Sequence, residues 1–192
     1  MRRTRWTCAV AAALAATAVL GTGGTAHANS SWTAQARQAG LTAPEATALQ
    51  KRVDSYLPAM RDSYQSGPNT IGFPGGQITV AVPGERHARD LRTTPGPLAA
   101  MNCNYGNFCA TMDGNATQWD FYYCQYYDVA SGSPTLAGPG AWINNQTHSR
   151  RVRMYGSGGS TDPIYTTPNA FYQDPSANWD PVYGLRTCVA AA

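Results

Sequence analysis

Four cysteines, Cys103, Cys109, Cys124 and Cys188, fall in the last 92 residues of this 192-residue chain, and they constrain its fold more than any other feature. The same stretch holds nine tyrosines and no lysine. An even set of cysteines in an exported chain implies a disulfide framework, the usual support of a small β-rich extracellular module. Three pairings are open in principle. Cys103 and Cys109 enclose only five residues and can close a local loop, which leaves Cys124 to reach Cys188. A zinc site is disfavoured because no paired C-x2-C units are present.

The export premise comes from the N-terminus. Arg2, Arg3 and Arg5 precede an apolar run from Trp6 to Leu20, and Ala26-His27-Ala28 supplies a small-x-small cleavage site. Residues 1–28 are therefore expected to be a secretory signal removed before Asn29, giving a secreted, extracellular protein. The apolar run falls short of the ~20 residues of a membrane span, so no membrane association is expected after cleavage. The signal would also remove the fifth cysteine, Cys8.

The full chain carries a formal charge of +3, but three arginines and no acid lie in residues 1–28. The remainder is balanced, with 11 basic and 11 acidic side chains. Nucleic acid is not an expected partner, since that requires a clustered positive excess. Arg150, Arg151 and Arg153 form the local basic cluster, yet they alternate with Val152 and Met154, as on the solvated face of a strand.

Three regions follow the signal. Residues 29–84 read as a helix-strand extension or prosegment. Thr42-x-x-Glu45 is a capping-box signature, Pro44 fits a first helical turn, and Leu49, Val53, Tyr56 and Leu57 share one face of a single amphipathic helix ending near Pro58. Ile78, Val80 and Val82 alternate after Gly75-Gly76, as in a strand. Residues 85–100, rich in arginine and proline, read as an exposed linker in which His87 is a solvated loop residue.

Residues 101–192 read as a disulfide-stapled domain. Strand candidates at Asn107–Met112, Trp119–Tyr123, Ala141–Asn144, Arg151–Tyr155 and Val182–Thr187 are separated by Gly/Pro/Asn turns, the pattern of an antiparallel sandwich or barrel. Trp119, Phe121, Tyr122, Tyr123, Tyr126 and Tyr127 crowd one segment, and alternation forces some of them outward. No G-x-S-x-G, H-E-x-x-H or phosphate-binding glycine loop occurs, so an enzyme is not expected. Asp113, Asp120 and Asp128 are carboxylates whose separation the sequence leaves open.

The run Cys103-Asn104-Tyr105-Gly106-Asn107-Phe108-Cys109 resembles the opening of the βγ-crystallin-like domain of the Streptomyces metalloproteinase inhibitor family, where a C-x5-C pair begins the first Greek-key unit. Trp142-Ile143-Asn144-Asn145-Gln146-Thr147 is similar to a recurrent Trp-(Ile/Val)-Asn-Asn-Gln-Thr segment of related small secreted proteins. The upstream order of helix, Gly-Gly strand and Pro-Gly-Glu is similar as well, so the resemblance spans most of the chain after residue 28.

The resemblance implies a mostly β, Greek-key βγ-crystallin-like sandwich with an N-terminal helix-strand extension. It also implies a monomeric peptidase inhibitor that occupies the cleft of a secreted metalloprotease without a cofactor. The family's founding inhibitor carries its reactive bond in a second tight cysteine loop, which this chain lacks. Asn104, Tyr105, Gly106 and Asn107, inside the one local cysteine loop, are the candidate inhibitory residues. The alternative function is a βγ-crystallin-type binding or structural module for calcium or cell-wall glycan. Asn144, Asn145, Gln146 and Ser149 are the candidate calcium ligands, although His148 stands where that motif places a hydroxyl. An Asx-type turn is the structural reading of the same residues.

Overall fold

The helical region contains two helices rather than one, and the break has a local cause. The computed structural model describes residues 24–92, 101–112, 114, 116–130 and 135–191, so most of the expected export signal lies outside the described residues. Helix α1 (Gly24–Gln38) stops where Gly40 adopts φ +98°. The Gly40 amide donates to the Arg37 carbonyl and the Leu41 amide to the Ala36 carbonyl, the paired bonds of a Schellman cap that few residues other than glycine can close.

Helix α2 (Ala43–Tyr56) then begins at the Thr42 cap, and both halves of the expected capping box form. The Thr42 amide donates to Glu45 Oε2 at 2.8 Å, and the Glu45 amide donates to Thr42 Oγ1 at 3.4 Å. Its buried stripe is Ala46, Leu49, Gln50 and Val53, the i, i+3, i+4, i+7 spacing of one helix face. A 3₁₀ turn over Leu57–Ala59 closes the helical region.

Eleven strands follow among the described residues: β1 (Tyr64–Gly67), β2 (Thr70–Phe73), β3 (Gly76–Val80), β4 (Phe108–Met112), β5 (Thr117–Phe121), β6 (Tyr126–Asp128), β7 (Pro139–Asn144), β8 (Arg150–Tyr155), β9 (Pro163–Thr166), β10 (Tyr172–Asn178) and β11 (Gly184–Ala190). They form a seven-stranded sheet in the order β1-β2-β3-β5-β4-β7-β10 and a four-stranded sheet in the order β6-β11-β8-β9. The protein is thus mostly β, with two antiparallel sheets and two short helices. The chain crosses between sheets repeatedly: β6 leaves the first sheet to pair with β11, and β10 returns to pair with β7.

The strand expected near Ile78 occupies the middle of the larger sheet. β3 pairs along its whole length with β5, from Gly76 opposite Phe121 to Val80 opposite Thr117, and β2 pairs with its other edge. Residues before 84 and after 101 therefore share one sheet and one buried cluster, in which Leu49, Val53, Ile71 and Ile78 join Phe108, Trp119, Phe121, Trp142, Val152 and Leu185. The segment after β3 is pinned as well. Asn69 Nδ2 donates to the Val80 and Arg89 carbonyls at 2.7 Å each, the Leu91 amide donates to Asn69 Oδ1, and Leu91 is buried. His87 consequently lies half-buried against the fold, and its Nδ1 has no hydrogen-bond partner among the described residues.

Every residue of β4 and β5 is buried, so both faces of these central strands are covered. Phe121 anchors the aromatic packing, with ring centroids 4.8 Å from Tyr127, 5.8 Å from Trp119 and 6.1 Å from Phe108. The crowded aromatic segment is split: Trp119, Phe121 and Tyr127 are buried, while Tyr122 and Tyr123, in the bend that follows β5, are exposed. Both expected disulfides are present, Cys103–Cys109 and Cys124–Cys188, with Cα separations of 5.7 and 5.1 Å.

Candidate functional site

The short cysteine loop is a rigid turn with an aromatic tip. Within it the Asn107 amide donates to the Asn104 carbonyl at 3.2 Å, and Gly106 adopts φ +91°. These are the marks of a type II turn with Tyr105 and Gly106 at its centre, and the positive φ explains the glycine. The disulfide closes the base of the turn. Its flank is bonded to Asn145, whose carbonyl accepts from the Gly106 amide at 2.8 Å and whose amide donates to the Asn107 carbonyl at 3.0 Å. A third bond runs from Asn145 Nδ2 to the Cys103 carbonyl at 2.9 Å.

What this frame presents is Tyr105, 68% exposed. Phe171, 60% exposed, lies beside it with ring centroids 6.1 Å apart. Tyr172 and Tyr165 pack on the buried Trp142, at centroid distances of 6.1 and 6.4 Å. The sequence reading found the loop but missed Phe171, because no local pattern reports that Phe171, just ahead of β10, packs beside the cysteine loop ahead of β4.

The Asn144-to-Ser149 segment is used by the fold. Asn144 Nδ2 donates to the Arg150 and Pro168 carbonyls, at 2.9 and 3.2 Å, and Asn144 Oδ1 accepts from the Gln146 amide at 3.5 Å, an Asx-type turn. Gln146 is fully buried; its Oε1 accepts from the Cys188 amide at 3.3 Å and its Nε2 lies 3.2 Å from Cys188 Sγ. Ser149 is exposed with φ +65°. Asn144, Asn145 and Gln146 thus direct their side chains to three different parts of the fold. That arrangement does not fit the convergent six to eight oxygens that calcium takes. Among the described residues no group of three or more His, Cys, Asp or Glu side chains comes together.

A second polar feature lies on the opposite face of β5 from Trp119 and Phe121. Asp120 is buried there between Gln77 of β3 and Cys109 of β4 in the strand register. Gln118 Nε2 donates to its Oδ1 at 2.7 Å and Gln77 Nε2 to its Oδ2 at 3.0 Å. Burial nevertheless outweighs these bonds and holds the carboxyl above its ordinary pKa. Burial and then the nearby Asp120 charge likewise hold the Tyr122 hydroxyl in its neutral form. Asp90 and Tyr122 lie near enough to Asp120 for their charges to act on one another, and Asp113 lies outside the described residues.

Fold and site define a disulfide-stapled, two-sheet antiparallel β protein that presents a braced aromatic loop. No family model, no curated protein and no solved structure matches this chain.

Proposed function

We propose that this chain is a secreted peptidase inhibitor of the Streptomyces metalloproteinase inhibitor type, and that it blocks an extracellular metalloprotease by seating the Cys103–Cys109 loop in the enzyme's cleft. The observation that carries this reading is Tyr105, held at the apex of a turn that a disulfide and three hydrogen bonds with Asn145, two donated and one accepted by it, fix before any partner arrives. A loop ordered in advance loses little conformational entropy on binding, and a rigid tyrosine supplies contact area cheaply. Phe171 widens the same contact surface.

Strand order supports a crystallin-type double Greek key. With β4–β7 as one four-strand unit and β8–β11 as a second, each unit gives its third strand to the other's sheet, β6 to the sheet of β8 and β10 to the sheet of β4. The signal-like residues 1–28 and the two disulfides support export.

Progress-curve assays of metallo- and serine peptidases with the oxidised protein and its Tyr105→Ala variant test the proposal. Dose-dependent inhibition that weakens at least tenfold in Tyr105→Ala, at unchanged melting temperature, is expected. Full activity of every peptidase at micromolar protein would overturn it.

A further inference from the structure

Much of the main chain of the short cysteine loop is already bonded to the protein itself. The Cys103 carbonyl accepts from Asn145 Nδ2 and the Asn104 carbonyl from the Asn107 amide, while the Gly106 amide and the Asn107 carbonyl are taken by the Asn145 main chain. A peptidase holds its substrate extended, through hydrogen bonds to N–H and C=O groups on both sides of the bond to be cut, much as an added strand is held. Here the chain instead reverses at Tyr105 and Gly106, and the groups on either side of Tyr105 are the ones consumed. The Tyr105 side chain stands clear. It is 68% exposed, and a Cβ placed at Gly106 would meet nothing within 4 Å beyond its chain neighbours, so the space beside the turn is open to the wall of a pocket.

We propose that the loop acts as an uncut plug: the Tyr105 ring fills the primary specificity pocket of a metallopeptidase that prefers large aromatic residues, while the turn protects both peptide bonds of Tyr105 from hydrolysis. This rests on the inhibitor reading above and adds to it the specificity of the target and the fate of the loop. Cutting between Asn104 and Tyr105 requires the Asn104 carbonyl oxygen to face the enzyme, but that oxygen accepts the turn's own bond from Asn107 at 3.2 Å. Cutting between Tyr105 and Gly106 requires the Gly106 nitrogen to depart, but its N–H is held by the Asn145 carbonyl at 2.8 Å. One large ring at a narrow apex, with a glycine beside it, suits a pocket rather than a flat surface. Phe171 reaches the same side from another segment, 6.1 Å away between ring centroids, and meets the pocket's rim. A pocket shaped for a small or a charged residue rejects the ring by clash or by leaving its own charge unpaired.

Secreted metallopeptidases graded on fluorogenic peptides for preference for phenylalanine, alanine or lysine test the proposal, each assayed with the intact, oxidised protein and its Tyr105→Phe and Tyr105→Lys variants. Inhibition of the phenylalanine-preferring enzymes at least about tenfold tighter than of the others is expected. Tyr105→Phe keeps the ring and should stay within about tenfold of the parent, the effect of one hydrogen bond. Tyr105→Lys should lose at least about thirtyfold against the same enzymes, as the loss of a buried anchor does, with melting temperatures unchanged in both variants. After prolonged incubation with an inhibited enzyme, mass spectrometry of the reduced protein should find the chain uncut between Cys103 and Cys109. A cut at either bond of Tyr105, equal inhibition of the alanine-preferring enzymes, or a Tyr105→Lys variant as potent as the parent would each overturn the proposal while inhibition itself still stands. No inhibition of any enzyme would overturn this proposal together with the inhibitor reading.

Discussion

The side-chain amide of Asn145 donates to the Cys103 carbonyl oxygen at 2.9 Å, while the Asn145 main chain exchanges hydrogen bonds with Gly106 and Asn107 on the same loop. One residue therefore braces the whole Cys103–Cys109 turn from a loop more than thirty residues downstream. Replacing Asn145 by alanine removes the side-chain bond and leaves the main-chain pair. A loss of about 1 kcal/mol is expected, with faster amide exchange at Gly106 and Asn107. Thermal melts and hydrogen exchange on the variant measure both, and unaltered exchange in the loop would show that the disulfide alone orders it. On the proposed function, inhibition by Asn145→Ala weakens more than the stability change accounts for, because the loop must then be ordered on binding.

The two disulfides differ in how much of the unfolded chain they restrain. Cys124–Cys188 has a sequence separation of 64 and Cys103–Cys109 a separation of 6. On the chain-entropy model these contribute about 4 and about 2 kcal/mol. Cys124→Ser is therefore expected to lower the denaturation midpoint more than Cys103→Ser. The gap should be widened by the loss of packing at Cys188, which Gln146 holds through its side-chain amide. Urea titrations of the two variants in otherwise oxidised protein decide the order, and a larger effect at Cys103 would contradict it.

β3 makes the N-terminal segment part of the sheet, so the fragment 101–192 is expected not to fold stably alone. Without residues before 101, the edge of β5 from Thr117 to Phe121 loses its partner, and Trp119 loses its neighbours Ile78 and Phe73. The fragment should bind hydrophobic dyes and be cut rapidly by proteases, whereas a chain beginning at Asn29 should resist both. No disulfide joins the two segments, so a nick between 92 and 101 should leave them associated under native conditions and separable in urea. A protease-resistant 101–192 fragment would sink this expectation.

How far the sequence revealed this arrangement depended on whether the cause was local. Thr42, Pro44 and Glu45 announce their helix because a capping box is complete within four residues. The alternation of Ile78 and Val80 announces a strand, but its pairing with β5 is a long-range event that period-two patterning does not encode. β1 and β2 escaped notice because Tyr-Gln-Ser-Gly and Thr-Ile-Gly-Phe are short and interrupted by glycine. β10 escaped because Pro175 argues against a strand, and it is tolerated there at a sheet edge. The same contrast runs through the site. The cysteine spacing exposed the loop, whereas the service of Asn145 and Gln146 to the two disulfides is visible only once distant segments meet.

Asp120 yields a pH prediction whose sign follows from its surroundings. Burial raises its pKa in the folded protein, against the lowering effect of the amides of Gln118 and Gln77. Folding therefore favours the protonated carboxyl. Its favourable contribution is complete below the usual aspartate pKa and is lost as pH rises through the raised folded value. At neutral pH the ionised carboxylate persists in the interior only through its two amide donors. Asp120→Asn removes that charge, and rotation of the Gln118 or Gln77 amide restores an acceptor for the new NH₂ group. The variant is thus expected to be more stable than the parent at neutral pH, with the two stabilities converging in acid. Denaturation midpoints across the acid-to-neutral range test this. A variant that is less stable than the parent at neutral pH and no less so in acid would show that the charged hydrogen bonds from Gln118 and Gln77 outweigh desolvation at this position.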